Sequence, residues 1–509
     1  MNIKFLGHAS FLVEGKDECL LTDPWFSKSG AFNYSWFQYP YNHHLAEYIL
    51  KLTKKLYIYI SHQHHDHFDE KFLKSLNKKN VVLLIPNFKN QTFKKIINKE
   101  FKSYKKKFLN EEHLFKTNEF KFRVFMNEDI SDSDSAILIE NNGEKFLNQN
   151  DCKIFDKIPY IQKKYGHISI YTCQFSGATW HPHCFAYPKK QEEKITSLKK
   201  RQKFQSLLKS INELKCDYFI PSAGPAIFLD PVLEKISLKK NSIFCDHKEL
   251  NNYIKKKLIK GKIINLLPGM KFNSIKPSNN IKKDEFAIIY LTKSKKKYLY
   301  WYRKKVNIDF NTVNKIPKKT SVIFSKLKQV LRNRLRIISK FKNIDGEFNV
   351  GILNYKYVHK IDLKKKTIKK FIKPENTESQ YTIFYNGNEI WKLLNNQMSW
   401  EEVSLTFRSK IIRNPDNFNI NIIAMLFGTD HDLLNIDKKK KIKKKRITIE
   451  SVDQKYSIDR FCPHQGADLK YGYYEKGYWV CPRHGWNFCL KDRGKSTNNL
   501  NYSINAKKI

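Results

Sequence analysis

The chain has 509 residues, of which 41% are apolar and 14% aromatic. This excludes a disordered polymer and is too long for one ordinary core, so we expect two or three folded domains. Lys and Arg number 95 against 49 Asp and Glu, a formal net charge of +46. Because the lysines are spread along the whole chain, they favour a lysine-coated surface over a nucleic-acid groove. Such a surface would still attract a small anionic substrate or an acidic redox partner.

The sequence predicts a soluble, cytoplasmic protein without a membrane span. The apolar run Val81–Ile85 is ended at once by Pro86, whereas a membrane helix needs about 20 apolar residues. The N-terminal sequence MNIKFLGHASFLVEG has a strand pattern without the basic region and cleavage site of a signal peptide. The nine cysteines are scattered apart from two in a motif described below. We therefore expect free thiols in a reducing compartment.

Residues 1–275 are predicted to alternate short strands and helices. Three short apolar runs end in turn residues, as buried strands do: Leu20–Trp25, Leu56–Ser61 and Val81–Pro86. Residues Lys199–Leu214 have helical periodicity, and Asp217–Pro221 has the pattern of the next strand. The pattern predicts an α/β domain.

A dense run of metal-ligand residue types directly follows the second of these strands. It reads Ser61-His62-Gln63-His64-His65-Asp66-His67, an H-x-H-x-D-H pattern. In a loop leaving a strand, His62 and His64 can both turn toward one metal, while Asp66 and His67 face a second position. This density favours a metal site over a structural histidine cluster.

Together with Gly7-His8-Ala9-Ser10 and Leu21–Trp25, the motif resembles the lactonase-like branch of the metallo-β-lactamase fold. The resemblance implies an αββα sandwich over residues 1–275, with Asp151 as its bridging carboxylate. The family's third histidine would fall at residues 130–135, where the chain has Asp132 and Asp134. Its last histidine would fall at Ser222-Ala223-Gly224. The usual two-zinc hydrolase set is therefore incomplete.

A smaller ligand set remains. His62, His64 and Asp151 would form a two-histidine, one-carboxylate site with open positions, which is typical of non-haem Fe(II) centres; zinc is the alternative metal. We interpret His8 as a support for a ligand rather than as a ligand itself. His181 and His183 are equally compatible with a pocket and with ordinary packing.

The remainder of the chain is predicted to form two further domains. Residues 276–440 have an α+β pattern poor in metal-ligand clusters. A lysine-rich stretch ending at Arg446 is interpreted as a solvated linker. Residues 446–509 have short strand patterns with glycine turns, which predicts a small all-β domain.

Two cysteine–histidine motifs lie in this last region. They read Phe461-Cys462-Pro463-His464-Gln465-Gly466 and Val480-Cys481-Pro482-Arg483-His484-Gly485-Trp486. Two thiolates and two imidazoles suit a 2Fe-2S cluster in which one iron takes both cysteines and the other takes both histidines. A zinc site with the same ligands is the alternative. The proline after each cysteine and the glycine-punctuated short strands favour the cluster.

These motifs resemble the Rieske family, and their C-P-x-H-G-W form is similar to that of the oxygenases. Ala467 and Arg483 stand where respiratory-chain Rieske proteins have extra loop cysteines. The resemblance implies that Cys462, His464, Cys481 and His484 hold a 2Fe-2S cluster. Such a cluster passes one electron at a time to a separate site of chemistry.

The two ends of the chain together predict a Rieske-coupled, iron-dependent oxygenase. This combination resembles the CMP-N-acetylneuraminate hydroxylase family with the domain order reversed. The resemblance implies oxygen-dependent hydroxylation, for example of a nucleotide-sugar such as CMP-sialic acid. Electrons would come from a reductase, ferredoxin or cytochrome. The predicted catalytic and metal-binding residues are His62, His64, Asp66, His67 and Asp151.

Two other functions are compatible with the sequence. The first is a zinc hydrolase of the lactonase-like branch, with a metal-bound water as nucleophile and the Rieske domain as a redox sensor. The second is a non-catalytic electron-transfer protein whose N-terminal domain is a degenerate scaffold.

Overall fold

The computed structural model describes residues 1–129, 132–276, 284–338, 340–341, 344–375, 380–428, 433–434, 445–452 and 454–509. The chain forms two compact units. The first comprises Met1–Glu128, Asp132–Ala178 and Thr196–Asp309, and the second comprises Asp129–Ser131, Thr179–Ile195 and Phe310–Ile509. The domain boundaries at residues 275 and 446 stay predictions.

The first unit contains short strands in two sheets. In chain order they are β1 (Asn2–Gly7), β2 (Ser10–Glu14), β3 (Glu18–Thr22), β4 (Lys55–Tyr59), β5 (Val81–Pro86), β6 (Lys105–Leu109), β7 (Phe115–Lys116), β8 (Lys121–Asp129), β9 (Asp132–Asn141), β10 (Glu144–Asn148), β11 (Ile170–Gln174), β12 (Tyr218–Ser222), β13 (Lys262–Ile263) and β14 (Lys271–Asn273). Within the described residues, one sheet has the order β14-β1-β2-β3-β4-β5-β6 and the other β13-β12-β11-β10-β9-β8-β7.

Helices accompany these sheets along the chain. They are α1 (Leu45–Leu50), α2 (Glu70–Ser75), α3 (Thr92–Glu100), α4 (Ile158–Tyr165), α5 (Lys189–Leu214), α6 (Glu234–Leu238), α7 (His247–Ile254), α8 (Glu285–Thr292) and α9 (Lys295–Val306). The structure contains the strands predicted to begin near Leu56, Val81 and Asp217. It also contains the predicted helix that ends at Leu214.

The apolar side chains explain the layering of this unit. One core joins the facing sides of the two sheets, for example Leu20 and Ile58 of the first with Ile139 and Phe146 of the second. Another core packs α4, α5 and α7 on the outer face of the second sheet. Strands β3 to β6 run parallel, an arrangement that needs cover on both faces. The predicted αββα sandwich is confirmed.

From Phe310 onward, the second unit has a mixed helix and strand region, as predicted. Its elements are α10 (Phe310–Asn314), α11 (Thr320–Ile338), β15 (Glu347–Ile352), β16 (Tyr357–Asp362), β17 (Thr367–Ile372), β18 (Gln380–Tyr385), α12 (Gly387–Leu394), α13 (Trp400–Leu405), β19 (Lys410–Asn414) and α14 (Ile420–Phe427). The strands form a sheet of order β17-β16-β15-β18-β19. Helix α11 contributes Leu327 and Leu331 to the core that covers this sheet.

The C-terminal region contains antiparallel strands, so the all-β prediction is confirmed. They are β20 (Arg446–Glu450), β21 (Lys455–Asp459), β22 (Tyr473–Glu475), β23 (Tyr478–Val480), β24 (Asn487–Cys489), β25 (Lys495–Ser496) and β26 (Lys507–Lys508). They pair as β20-β21-β26 and β22-β23-β24-β25. Most of the predicted lysine linker, residues 435–444, lies outside the described residues. Among the described helices, none has the length and apolarity to cross a bilayer.

Candidate metal centres

The first candidate site lies where several strands of the αββα unit end. His8 follows β1, Asp23 follows β3, the loop His62–His67 follows β4, and Asp151 follows β10. Strands β3 and β4 pair in parallel, so the loops that carry Asp23 and the histidines leave the same edge of the sheet. This is why residues far apart in sequence come together here.

His67 is held by a buried carboxylate. Its Nδ1 lies 2.9 Å from Oδ2 of Asp23, and Asp23 also accepts hydrogen bonds from the backbone and hydroxyl of Ser61. The opposite ring nitrogen, Nε2, is buried and has no hydrogen-bond partner among the described residues. A metal-binding histidine usually donates one ring N–H to a carboxylate and binds the metal through its other ring nitrogen.

Asp151 supplies the matching carboxylate. Its Oδ1 is also buried without a hydrogen-bond partner in the described part of the chain and lies 3.6 Å from His67 Nε2. Asn150 fixes this turn, because its side-chain oxygen accepts from the Asp151 backbone and its amide donates to the Ser135 carbonyl. Two buried ligand-type atoms that face each other without a hydrogen bond indicate a place for a bound cation.

His62 completes a first ligand group. The ligand atoms of His62, His67 and Asp151 all lie within 4.8 Å of one another. His62 Nδ1 is 3.2 Å from Asp134 Oδ1, and its Nε2 is 2.8 Å from Nδ1 of His64. His64 is half-buried and contacts His62 without joining the group.

A second ligand group shares His67 with the first. It consists of His8, Asp66 and His67. His8 Nε2 lies 3.2 Å from Asp66 Oδ2, and His67 Nε2 lies 3.8 Å from the same oxygen. The structure thus places His8 among the ligand-type atoms, whereas the sequence had indicated only a supporting role.

The electrostatics of the site favour a positive charge. Burial lowers the pKa of His62 to about 4. Burial would also lower the pKa of His67, but Asp151, Asp66 and Asp23 outweigh it and raise the pKa well above the ordinary value. Burial opposes ionisation of Asp66 and Asp151, yet His67 and the other histidines hold both pKa values below the usual range. The carboxylates are therefore ionised, and a divalent cation fits the donor set.

The second candidate site is built from two similar turns in the C-terminal region. In one, the Cys462 backbone accepts from Gly466 N at 2.8 Å and donates to the Ala467 carbonyl at 2.9 Å. In the other, Cys481 accepts from Gly485 N at 3.1 Å and donates to the Trp486 carbonyl at 2.8 Å. Gly466 and Gly485 have φ of +73° and +67°, a conformation that glycine adopts without strain.

The four predicted cluster ligands meet between these turns. Cys462 and Cys481 are both buried, and burial together with the neighbouring Cys481 thiol raises the pKa of Cys462 well above its usual value. The rings of His464 and His484 lie 5.0 Å apart and are half-buried. A pair of buried sulfurs beside a pair of imidazoles fits a 2Fe-2S cluster, whose iron would take the place of the thiol protons.

The structure brings four of the sequence-predicted site residues together, His62, Asp66, His67 and Asp151. Asp23 and Asp134 also contact these histidines, a role that the sequence did not indicate. The place of Asp23 in the motif Leu21–Trp25, at the end of a predicted strand, is the signal that could have identified it. His181 hydrogen-bonds Tyr187 at 3.1 Å, and His183 pairs with Glu192 at 2.9 Å, both within the second unit. The side chain of Asp132 lies outside the described part of the chain.

Comparison with known families agrees with both sites. Residues 2–148 match the family model of a beta-lactamase superfamily domain. Residues 431–502 match that of a Rieske [2Fe-2S] domain.

Two curated relatives are Rieske 2Fe-2S iron-sulfur proteins. One is from Mycolicibacterium smegmatis (strain ATCC 700084 / mc(2)155) and one from Mycobacterium tuberculosis (strain ATCC 25618 / H37Rv). Each is 27% identical over 243 residues, which covers 47% of this chain and 46% of the relative. The chain thus spans about half the length of the curated relatives it matches.

Two solved structures overlap with about half of the chain. Igni18, a metallo hydrolase from Ignicoccus hospitalis, has a TM-score of 0.37 and 13% identity and covers 53% of this chain and 98% of its own. CmlA, a diiron beta-hydroxylase from Streptomyces venezuelae, has a TM-score of 0.37 and 14% identity and covers 53% of each chain.

The family matches and the two sites lead to one assignment. The histidines and Asp66 of the first site lie in the part of the chain that matches the first family, and Asp151 follows three residues beyond it. The paired turns lie in the part that matches the second family. The chain therefore carries a metallo-β-lactamase-like domain with a non-haem metal site at its N-terminal end and a Rieske domain with a 2Fe-2S cluster at its C-terminal end.

Proposed function

We propose that the protein is a Rieske-coupled, non-haem iron oxygenase. The observation that carries this proposal is a pair of buried ligand-type atoms, His67 Nε2 and Asp151 Oδ1. They lie 3.6 Å apart and make no hydrogen bond among the described residues, in a chain that also holds a one-electron Rieske cluster. A hydrolase needs no electron donor, whereas activation of oxygen at iron does. The Rieske domain therefore has a function in an oxygenase, as the electron donor, whereas a hydrolase would not use it for its reaction.

The residues around the first site divide into distinct roles. His62, His67 and Asp151 would hold the iron, which supplies oxygen activation when bound. Asp23 orients His67 through Nδ1. The hydrogen-bonded pair of His8 and Asp66 is buried and can hold a proton at His8 Nε2. His64, half-buried beside His62, stays a predicted further ligand.

The substrate is proposed by chemical class. Hydroxylation of an anionic molecule, such as a nucleotide-sugar, agrees with the strongly cationic balance of the chain. A reductase, ferredoxin or cytochrome would deliver electrons to the cluster. A Rieske oxygenase requires such an external electron donor.

A zinc hydrolase is the second candidate. The observation in its favour is the second ligand group, which consists of His8, Asp66 and His67. His67 belongs to both ligand groups. Two adjacent metal positions are the arrangement that many hydrolases use to activate water. In that case the Rieske domain would sense redox state.

Metal and sulfide analysis, with EPR of anaerobically purified and dithionite-reduced protein, separates these functions. The wild type would be compared with His62→Ala and Asp151→Asn. His65→Ala is the matched control, because His65 lies in the same loop and is exposed.

The oxygenase predicts a rhombic Rieske signal and about one or two further iron atoms. The additional iron should be lost in both site variants and kept in His65→Ala. A Rieske signal with zinc alone at the first site would favour the hydrolase. A folded N-terminal domain without any metal would favour a non-catalytic electron carrier and contradict the proposal.

A further inference from the structure

Phe418 contacts the two cluster turns, although it lies outside both cysteine–histidine motifs in the sequence. It lies between β19 and α14, in the α+β region of the second unit. Its ring centroid is 5.2 Å from that of His464, at an interplanar angle of 90°. It is also 5.5 Å from the ring of Trp486 at 83°. Phe418 is therefore part of the immediate surroundings of a predicted cluster ligand.

His464 is enclosed by aromatic rings on two sides. Trp486 stacks on its face, with centroids 4.4 Å apart and planes 8° from parallel. Phe418 meets the same imidazole edge-on. Stacked and edge-to-face contacts restrict how a ring can turn, so these two residues together set the orientation of His464.

The backbone around Phe418 is anchored to the Rieske domain. Phe418 N donates to the Asn498 carbonyl at 3.2 Å, and the side-chain amide of Asn499 donates to the Phe418 carbonyl. Both partners lie in the loop between β25 and β26. The contact is therefore made by backbone hydrogen bonds as well as by the ring.

The flanking residues hold Phe418 in place. On one side, Arg413 Nε donates to Asp416 Oδ1 at 2.6 Å and closes the turn after β19. On the other side, the Asn419 side chain accepts from Asn421 N and Ile422 N and caps helix α14. A residue between an ion-paired turn and a capped helix is well suited to position a neighbouring group.

We propose that Phe418 is a positioning residue for the Rieske cluster, which fixes His464 and keeps water from that side of the imidazole. The α+β region would then set part of the reduction potential of the cluster. With neutral imidazoles the oxidised cluster is formally uncharged, and the reduced cluster carries one negative charge. Water stabilises the charged state more than protein does, so cover by Phe418 lowers the reduction potential. This inference depends on the cluster and not on the oxygenase reaction.

The test is a redox titration of full-length, cluster-loaded protein followed by EPR. Phe418→Ala should shift the midpoint potential upward and alter the rhombic EPR signal, because water gains access to His464. Phe418→Tyr should restore both values toward wild type, since it returns an aromatic ring. Phe371→Ala is the matched control, because Phe371 is 46% exposed on β17; its potential should equal that of the wild type.

Three outcomes would overturn the proposal. One is an unchanged potential in loaded Phe418→Ala, and another is an equal shift in Phe371→Ala. The third is a shift that Phe418→Tyr does not reverse, which would indicate general loosening rather than the aromatic contact. If Phe418→Ala fails to fold, Phe418→Leu replaces the ring by a smaller side chain that leaves only part of the cover over His464 and should show a smaller upward shift. An unshifted potential in Phe418→Leu would then contradict the inference, whatever metal the first site holds.

Discussion

At the scale of single residues, the candidate metal site depends on one carboxylate that orients a ligand. Asp23 is fully buried, binds His67 Nδ1 and accepts two hydrogen bonds from Ser61. This fixes which nitrogen of His67 faces Asp151. The same arrangement in other metal sites controls both ring orientation and ligand basicity.

Asp23→Asn should weaken metal binding at the first site. The amide keeps the size of the side chain but loses the charge that orients and polarises His67, so we expect metal affinity to fall by roughly 10- to 100-fold. Competition with a chromophoric chelator measures this change. Asp17→Asn is the control, because Asp17 is exposed. Equal affinities in the two variants would contradict the role of Asp23.

At the scale of structural elements, the cluster depends on two tight turns. Each turn closes through a hydrogen bond from a glycine to a cysteine carbonyl four residues earlier, and each glycine has positive φ. An added Cβ at Gly466 would meet no atom within 4 Å. Replacement at this position therefore tests the backbone conformation alone.

Gly466→Ala should lower cluster occupancy as well as stability. A non-glycine residue in this conformation costs roughly 1–2 kcal/mol, and relaxation of the turn would displace Cys462 and His464. Gly143→Ala is the matched control, since Gly143 has φ of +79° and equally open space in the turn between β9 and β10. Iron and sulfide analysis with chemical denaturation separates the effects. Both variants should lose similar stability, and only Gly466→Ala should lose iron; equal iron content would contradict the prediction.

At the scale of the whole molecule, metal binding and folding of the first unit are coupled. Asp23, Asp66 and Asp151 come from separate loops, and two of them, Asp23 and Asp66, are almost entirely buried. In the unfolded chain they are solvated and separated. A cation that binds the folded site alone therefore adds its binding free energy to stability.

Removal of the metal should lower the thermal unfolding temperature. Without a cation, the ionised carboxylates are left in a site of low polarity, which destabilises the folded state. Scanning calorimetry before and after treatment with a chelator measures the shift, and added Fe(II) or Zn(II) should reverse it. The His62→Ala variant should respond less than the wild type. An unchanged unfolding temperature in chelator-treated wild type, with metal loss verified, would contradict the coupling.

Much of the fold could be predicted because its signals are local. Apolar runs such as Val81–Pro86 become buried strands, and the dense histidine motif lies in the loop after β4, as expected. The cysteine–histidine motifs likewise form paired turns, since the glycine and proline positions favour them directly. These features depend on neighbours within a few residues.

Other features depend on contacts between distant parts of the chain. The sequence determined the ligand types, the cluster motif and the order of the elements. Only the tertiary structure decided that Asp23 orients His67, that His8 joins Asp66, and that Phe418 covers His464. Each of these pairs is separated by more than forty residues, so no periodicity or spacing in the sequence links them. They meet because parallel strands end at a common edge and because packing brings one loop onto another.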